Sequence, residues 1–320
     1  MFMNYLRMPN GTFMFHEIGV DMGPISTCDV AVVQRLCTQE NYNALSRIKE
    51  LGIKLVYDLD DNMWAIPSYN PAYGMMKQLE PGFRKCASLC DVVTVSTEPL
   101  RVAARQALGW KTRVEVMPNC MDFQWFRPVP EHLRKPKKDG EVVMGWAGTN
   151  THTGDVNKVF AMLPALLEKF PNLRVELVGL PLPPAIKDHP RARERDFVKI
   201  GQWPSRWASW QWDFSIAPLD ENKFNNSKSC LKMLESAALS IPCVASDVAP
   251  YHDFCKPSKF LSENLLCRGP LAWQKKLEAV ITDAPLRRSL GMEMRRVGEA
   301  YDISHSVKRW TVLIEELCAA

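Results

Sequence analysis

Short apolar runs rich in β-branched residues alternate along the chain with longer stretches in which apolar positions recur at helical spacing. That is the pattern of a parallel sheet with crossover helices. The runs DVAVVQ (29–34), IKLVYD (53–58), DVVTVS (91–96) and RVEVM (113–117) read as strands, with helices between them at about 41–51, 75–89 and 98–108. The segment RPVPEHLRKPKK (127–138), with three prolines and a run of basic side chains, reads as an exposed connection. Beyond it the alternation restarts with EVVMGW (141–146), RVELVG (174–179), FVKI (197–200), DFSIAP (213–218) and PCVAS (242–246). From residue 270 onward the chain reads as helical, with Asp302 and Ser304 as cap residues before Val307, Trp310, Leu313 and Leu317 on one face.

The expected class is therefore α/β, with two doubly wound Rossmann-like domains, one in residues 1–130 and one in 140–302. A last helix, 303–320, is expected to pack back on the first. In open α/β sheets ligands bind at the carboxyl ends of the strands, so two such units are expected to face each other across a ligand-binding cleft.

Composition narrows the class without naming a partner. The 320 residues, 46% of them hydrophobic, suffice for two cores. A net charge of +4 is too small to announce nucleic acid or a membrane surface, and residues 1–140, with 17 basic and 15 acidic side chains, are scarcely more basic than the whole. The ten cysteines lack any Cys-x-x-Cys pair and read as reduced, mostly buried thiols. Cys86 and Cys90 could share a helical face, but no further ligand follows at metal spacing. No charged leader precedes an apolar stretch and no 18 apolar residues run together, so a cytoplasmic protein with no transmembrane segment is expected.

Three segments carry candidate chemistry. The run APLDENKFNNSKSCLKMLESAALSIPCVASDVAPY (217–251) holds a strand end, a polar loop, a helix expected to start near Ser227, and another strand. A helix start bearing Ser227, Lys228, Ser229 and Lys232 offers N–H groups, hydroxyls and ammonium groups to an anion such as a diphosphate, and Glu235 lies on the face of Lys228 and Lys232. The same residues also suit an amphipathic helix whose lysines pair with Glu235 or face water. In MGWAGTNTHTGDV (144–156), Gly145 and Gly148 allow a tight turn, and Thr149, Asn150, Thr151 and His152 precede a helix that begins near Thr153 or Asp155, with Asp155 as a cap. In VYDLDDNMW (56–64), Asp58, Asp60 and Asp61 lie at the carboxyl end of a predicted strand; they could orient or deprotonate an acceptor hydroxyl, hold a divalent ion as an Asp-x-Asp pair, or simply cap a solvated loop. Trp203, Trp207, Trp210 and Trp212 fit one helical face and read as core, with ring stacking on a ligand as the alternative.

These segments resemble glycosyltransferase family 4 and its phage and bacterial relatives. There a loop leads into a Lys-Ser-x-x-Lys-x-x-Glu helix followed by Ile-Pro-Val-Val-Ala-Ser, and Lys228–Glu235 with Ile241–Ser246 follow that pattern. Val95–Glu98 and Met117–Asp122 are similar to further segments of the family's first domain. The resemblance implies a GT-B fold and a nucleotide-sugar donor, with no metal or cofactor required. It also implies retention at the anomeric carbon. It places Glu235 on the ribose hydroxyls, Lys228, Ser229 and Lys232 on the diphosphate, and Gly148, Thr149 and His152 in the donor loop. Asp60, Asp61 and Lys228 become the catalytic candidates, with Asp58, Ser96 and Asn119 on the acceptor side. Two departures stand out. A glutamate that many members carry eight residues before the ribose glutamate is Ser227 here, and the opening strand and glycine loop are missing or cut back in the first 28 residues.

The expected activity is transfer of a hexosyl or pentosyl group from a nucleotide-sugar to an acceptor hydroxyl on a glycan, lipid or protein. A hydroxymethylated pyrimidine of phage-type DNA is an alternative acceptor, for which Arg84, Lys85, Arg101, Arg105, Lys111 and Arg113 could furnish a basic groove. A non-catalytic nucleotide-binding scaffold or sensor is the alternative of another class.

Overall fold

The computed structural model describes residues 28–134, 137–138 and 140–319. The chain forms two compact units. One comprises the described residues up to Ile66 with Tyr73–Pro118 and Ser304–Ala320; the other comprises Pro67–Ala72 and Asn119–Ile303. The shortened opening expected from the sequence concerns the first 28 residues, of which 1–27 lie outside the described part.

In the first unit, strands β1 (Val30–Gln34), β2 (Lys54–Leu59), β3 (Val92–Val95) and β4 (Val114–Val116) form a parallel sheet in sequential order. Helices α1 (Gln39–Glu50), α2 (Tyr73–Ala87) and α3 (Glu98–Leu108) connect them. Thr38 caps α1 through a capping box, Thr97 accepts from the Leu100 N–H to cap α3, and Gly109, with φ of 105°, ends α3 where a side chain would be strained. Right-handed crossovers that all step in one direction put their helices on one face. Accordingly Leu55, Tyr57 and Leu59 meet Leu45, Ile48, Phe83 and Leu100, while Val30, Val56 and Val92 on the other face are covered by Leu313 and Leu317 of the C-terminal helix, Ile303–Ala319. Trp310 packs at the edge of that cluster, but Val307, expected on the same face, is about half exposed. Asp302, expected as a cap, stands directly before that helix in extended geometry and also pairs through its backbone with Met121.

The second unit holds β5 (Val142–Ala147), β6 (Leu173–Val178), β7 (Ala192–Arg195), β8 (Phe214–Ala217), β9 (Cys243–Ser246) and β10 (Leu266–Cys267), all parallel in the order β10-β9-β8-β5-β6-β7. The chain winds outward from β5 in one direction and then returns to its other side, so the order reverses between β5 and β8. Helices α4 (Thr153–Phe160), α5 (Leu163–Lys169), α6 (Trp203–Trp210), α7 (Lys223–Asn226), α8 (Leu231–Ala238), α9 (Ala249–Cys255), α10 (Lys259–Leu265), α11 (Pro270–Thr282) and α12 (Ala284–Gly298) complete it. The expected strand FVKI is not formed. The third strand of this half is Ala192–Arg195, an edge strand with the sequence ARER. Its register is set by the ladder to β6 and by Arg195, which donates to the buried Glu176 at 2.6 and 3.0 Å, so no apolar run announces it. Phe197 is exposed and lies against Trp203.

Trp207 and Trp212 are buried in the core of this unit. Gly145, expected in the donor loop, lies inside β5, where an added Cβ would sit 1.8 Å from the Trp212 ring. The glycine therefore serves indole packing rather than a turn. The cysteines are free thiols, with Cys86, Cys230, Cys243, Cys255 and Cys267 buried. Among the described residues no helix is long and apolar enough to cross a membrane.

Candidate functional site

The carboxyl ends of β5 and β8 flank the reversal of strand order in the second unit, the place where open α/β sheets leave a crevice. Gly148 follows β5 directly. A Cβ there would approach the Trp146 ring to 2.6 Å, and one at Gly179 would meet the Gly148 carbonyl oxygen at 2.1 Å, so the backbone turns between an indole and a neighbouring loop. Thr149 and Thr151 share a hydroxyl hydrogen bond of 2.7 Å before α4 begins at Thr153.

The segment after β8 differs from the expected single helix. Asn222 caps the short α7 by accepting from the Asn225 N–H, and the Ser227 hydroxyl donates back to the Lys223 carbonyl at 2.8 Å. The chain then leaves helical geometry, with Cys230 at ψ of 27°, before α8 starts at Leu231. Ser227 is thus buried, and Lys228 and Ser229 lie in the bend between two helices rather than on a helical face. The correction has a local cause: the Asn222 and Ser227 side chains satisfy backbone groups that a continuous helix would have used. Lys228 Nζ stands 4.4 Å from the Phe224 ring centroid. Ser229 Oγ accepts from the Asn119 amide at 2.9 Å, so Asn119, expected with the acceptor-side residues, belongs to the second unit.

On α8, Glu235 is buried and Lys232 half-buried. The Lys232 ammonium donates to the carbonyl of Ala147 at the end of β5 and stands 5.5 Å from the Trp146 ring centroid. Burial holds its pKa below the ordinary lysine range, against the pull of Glu235. Glu235 Oε1 accepts from Trp203 Nε1 at 2.8 Å. Burial raises this carboxyl to about 7, with Lys232 and the indole hydrogen bond working in the opposite direction. Trp203, read from the sequence as core, therefore holds a candidate site residue.

Spacing gave no sign of the polar centre of the site. Asp155, expected as no more than a cap, is buried and collects four donors: the Tyr69 hydroxyl at 3.1 Å, the Asp220 N–H at 3.1 Å, the Asn225 amide at 2.8 Å and, on its other oxygen, His152 Nδ1 at 3.0 Å. Tyr69 comes from the segment Pro67–Ala72 and packs flat on α4, where a Cβ on Gly154 would come within 2.5 Å of its ring. The signal that could have found this centre is Gly154-Asp155 opening a helix directly after a strand and loop, with Asn225 downstream.

The acidic residues of the first unit form a separate group. Asp58 lies near the carboxyl end of β2, as expected; it is buried and accepts from the Thr94 hydroxyl at 2.7 Å and the Gln34 amide at 2.9 Å. Burial raises its pKa, partly offset by Thr94. Arg35, in the left-handed region at φ of 54°, directs its guanidinium to both Asp60 and Asp61, at 2.6 Å from Nε to Asp60 and 2.9 Å to Asp61. Ser96 donates to the Asp60 carbonyl at 3.3 Å. Among the described residues no group of three or more His, Cys, Asp or Glu side chains is gathered so as to hold a metal ion.

Two parallel-sheet α/β units of this kind constitute the GT-B fold. Solved structures with that fold are similar to this chain over most of its length. HepE of Anabaena, in complex with UDP and glucose, superposes with a TM-score of 0.67 at 14% identity over 94% of this chain and 84% of its own. Sucrose-phosphate synthase of Thermosynechococcus elongatus gives 0.65 at 14% identity over 91% and 74%. A variant of S. aureus TarM, in complex with fondaparinux, α-GlcNAc-glycerol and UDP, gives 0.60 at 14% identity over 86% of this chain, which spans only 54% of TarM. No family model matches the sequence, and no curated protein matches it.

Proposed function

We propose that the chain is a glycosyltransferase that takes a sugar from a nucleotide-sugar donor and passes it to an acceptor hydroxyl. The observation that carries this reading is the gathering of Glu235, Lys232, Lys228, Ser229 and His152 around the β5–β8 reversal of the second unit. Glu235 accepts the two vicinal ribose hydroxyls, a task suited to one carboxylate with two oxygens. Ser229 already accepts from Asn119, which leaves its own proton to donate to a phosphate oxygen. Lys228 meets the charge that grows on the departing diphosphate, and half-buried Lys232 adds positive potential from behind. Gly148 and Thr149 line the approach to the sugar.

Residues 140–302 are assigned to the donor and residues 1–130 to the acceptor. In the first unit Arg35 pairs with both Asp60 and Asp61, which suits them to accept a hydrogen bond from the acceptor hydroxyl better than to remove its proton; Asp58 and Ser96 support them. Retention at the anomeric carbon follows the family resemblance, and no metal is required in this scheme. A UDP-sugar is the first donor to try, because HepE has been solved with UDP-glucose and TarM with UDP.

A thermal-shift panel of UDP, UDP-glucose, UDP-N-acetylglucosamine, GDP-mannose and ADP-glucose tests the reading. A ligand that binds only the folded chain raises its melting temperature. At least one nucleotide diphosphate and its sugar should do so, and slow release of free sugar without acceptor should follow. No shift with any of them contradicts the proposal.

A further inference from the structure

The environment of His152 dictates which of its nitrogens carries a proton. Its Nδ1 lies 3.0 Å from Asp155 Oδ2, while Asp155 Oδ1 takes Tyr69, the Asp220 N–H and Asn225. A carboxylate surrounded by donors is an acceptor on every side, so the shared proton sits on His152 Nδ1. Burial opposes the charge of Asp155, yet the hydrogen bonds from His152 and the Asp220 N–H hold its carboxyl below the ordinary range. The same carboxylate helps to drive the Tyr69 hydroxyl up to about 12, after burial itself, so Tyr69 keeps its proton and donates. His152 is pushed the other way: burial lowers its pKa, and the ammonium groups of Lys232 and Lys228 lower it further, against Asp155. The charged and titratable groups around the ring are thus Asp155, Tyr69, Lys228 and Lys232, and together they leave it neutral at pH 7.

We propose that Asp155 is a positioning residue that fixes His152 as its Nδ1–H tautomer, so that the Nε2 lone pair accepts a hydrogen bond from a hydroxyl of the sugar being transferred. The inference rests on the nucleotide-sugar reading above and gives His152 a role within it. A neutral ring with a lone pair at Nε2 has nothing to donate to a diphosphate, which Lys228 and Ser229 serve instead. It is suited to a group that donates, and on a nucleotide sugar the donors near the anomeric end are sugar hydroxyls. His152 thereby distinguishes a nucleotide sugar from the bare nucleotide.

The Asp155→Asn variant separates this role from simple support. Its amide oxygen stays with the three donors that surround Oδ1, so its NH2 faces His152 and forces the proton onto Nε2. Histidine 15N–1H correlation spectra of the full chain at pH 7 should show the Nδ1–H tautomer for His152 in the parent and the Nε2–H tautomer in the variant. An imidazolium or an Nε2–H tautomer in the parent overturns the inference. Calorimetric titration with UDP and with UDP-glucose supplies the second readout. The ratio of UDP-glucose to UDP affinity should fall about threefold to tenfold in Asp155→Asn, the range of one neutral hydrogen bond, with UDP affinity little changed. If that variant does not fold, His152→Ala, which leaves Asp155 three donors, should show the same loss of ratio. An unchanged ratio with UDP-glucose overturns the inference. Failure of the parent to bind UDP at all counts against the nucleotide-sugar reading and takes this inference with it, whereas a wrong tautomer counts against this inference alone.

Discussion

Replacing Glu235 by Gln should make the protein more stable at alkaline pH while weakening its hold on a nucleotide. The folded chain raises this carboxyl to about 7, whereas an unfolded chain would titrate it near 4.3. A raised acid contributes nothing unfavourable below the unfolded value, where both states are protonated, and its stability is lost as pH rises through the folded value. Full ionisation therefore costs about 4 kcal/mol above pH 7, at 1.36 kcal/mol for each tenfold step in proton concentration. Gln matches neutral Glu in size and keeps an oxygen for the Trp203 indole, so it avoids that cost. Urea unfolding at a series of pH values should show parent and variant converging near pH 4 and separating up to pH 7, with the variant ahead by about 1–3 kcal/mol at pH 8.5. The same change should weaken UDP binding by about 1–3 kcal/mol at that pH, the range for hydrogen bonds to a charged group. In the parent, UDP affinity should rise as pH passes through 7, because the ionised carboxylate is the form that accepts both ribose hydroxyls. A variant less stable than the parent at pH 8.5 would show that the Lys232–Glu235 attraction outweighs burial, and the reasoning would fail.

Gly145→Ala should lower the melting temperature, with a loss of about 1–3 kcal/mol or more, because its Cβ falls 1.8 Å from the Trp212 ring; an unchanged melting curve would contradict the packing described. Lys228→Ala should reduce kcat about a hundredfold with a smaller change in donor KM, as expected for a group that meets charge in the transition state. A rise in KM with kcat intact would assign Lys228 to ground-state binding. Turnover should survive EDTA. Its loss, with recovery on adding manganese, would instead make Asp60 and Asp61 metal ligands.

The alternation of apolar runs made nearly all of the sheet legible, since buried parallel strands such as Leu55–Leu59 and Cys243–Ser246 are almost continuously apolar. Two strands carry no such signal: Ala192–Arg195 sits at an edge and is held by backbone pairing and the Arg195–Glu176 ion pair, and Leu266–Cys267 is only two residues long. The candidate site was legible where chemistry is local. Lys232 and Glu235 share a helix, and their spacing is visible in the sequence. The bend at Ser227–Cys230 was not, because it depends on side chains returning to their own backbone. Nor was the convergence of Tyr69, Asp155, Asp220 and Asn225, whose partners lie up to 153 residues apart for the hydrogen bond from Asn222 to Tyr69. Trp203 packs against the core as its spacing suggests, and it has a second role. Its helical spacing fits core packing, and only the fold reveals that its N–H reaches Glu235.

Hydrogen–deuterium exchange of the full chain, with and without saturating UDP, tests the central claim most directly, since it locates nucleotide contact without assuming an acceptor. Added protection is expected across the bend and α8, 227–238, extending to 148–155 after β5 when UDP-glucose replaces UDP, and it should weaken in Glu235→Gln at the same ligand concentration. Protection confined to other parts of the chain, or none where UDP demonstrably binds, would contradict that claim.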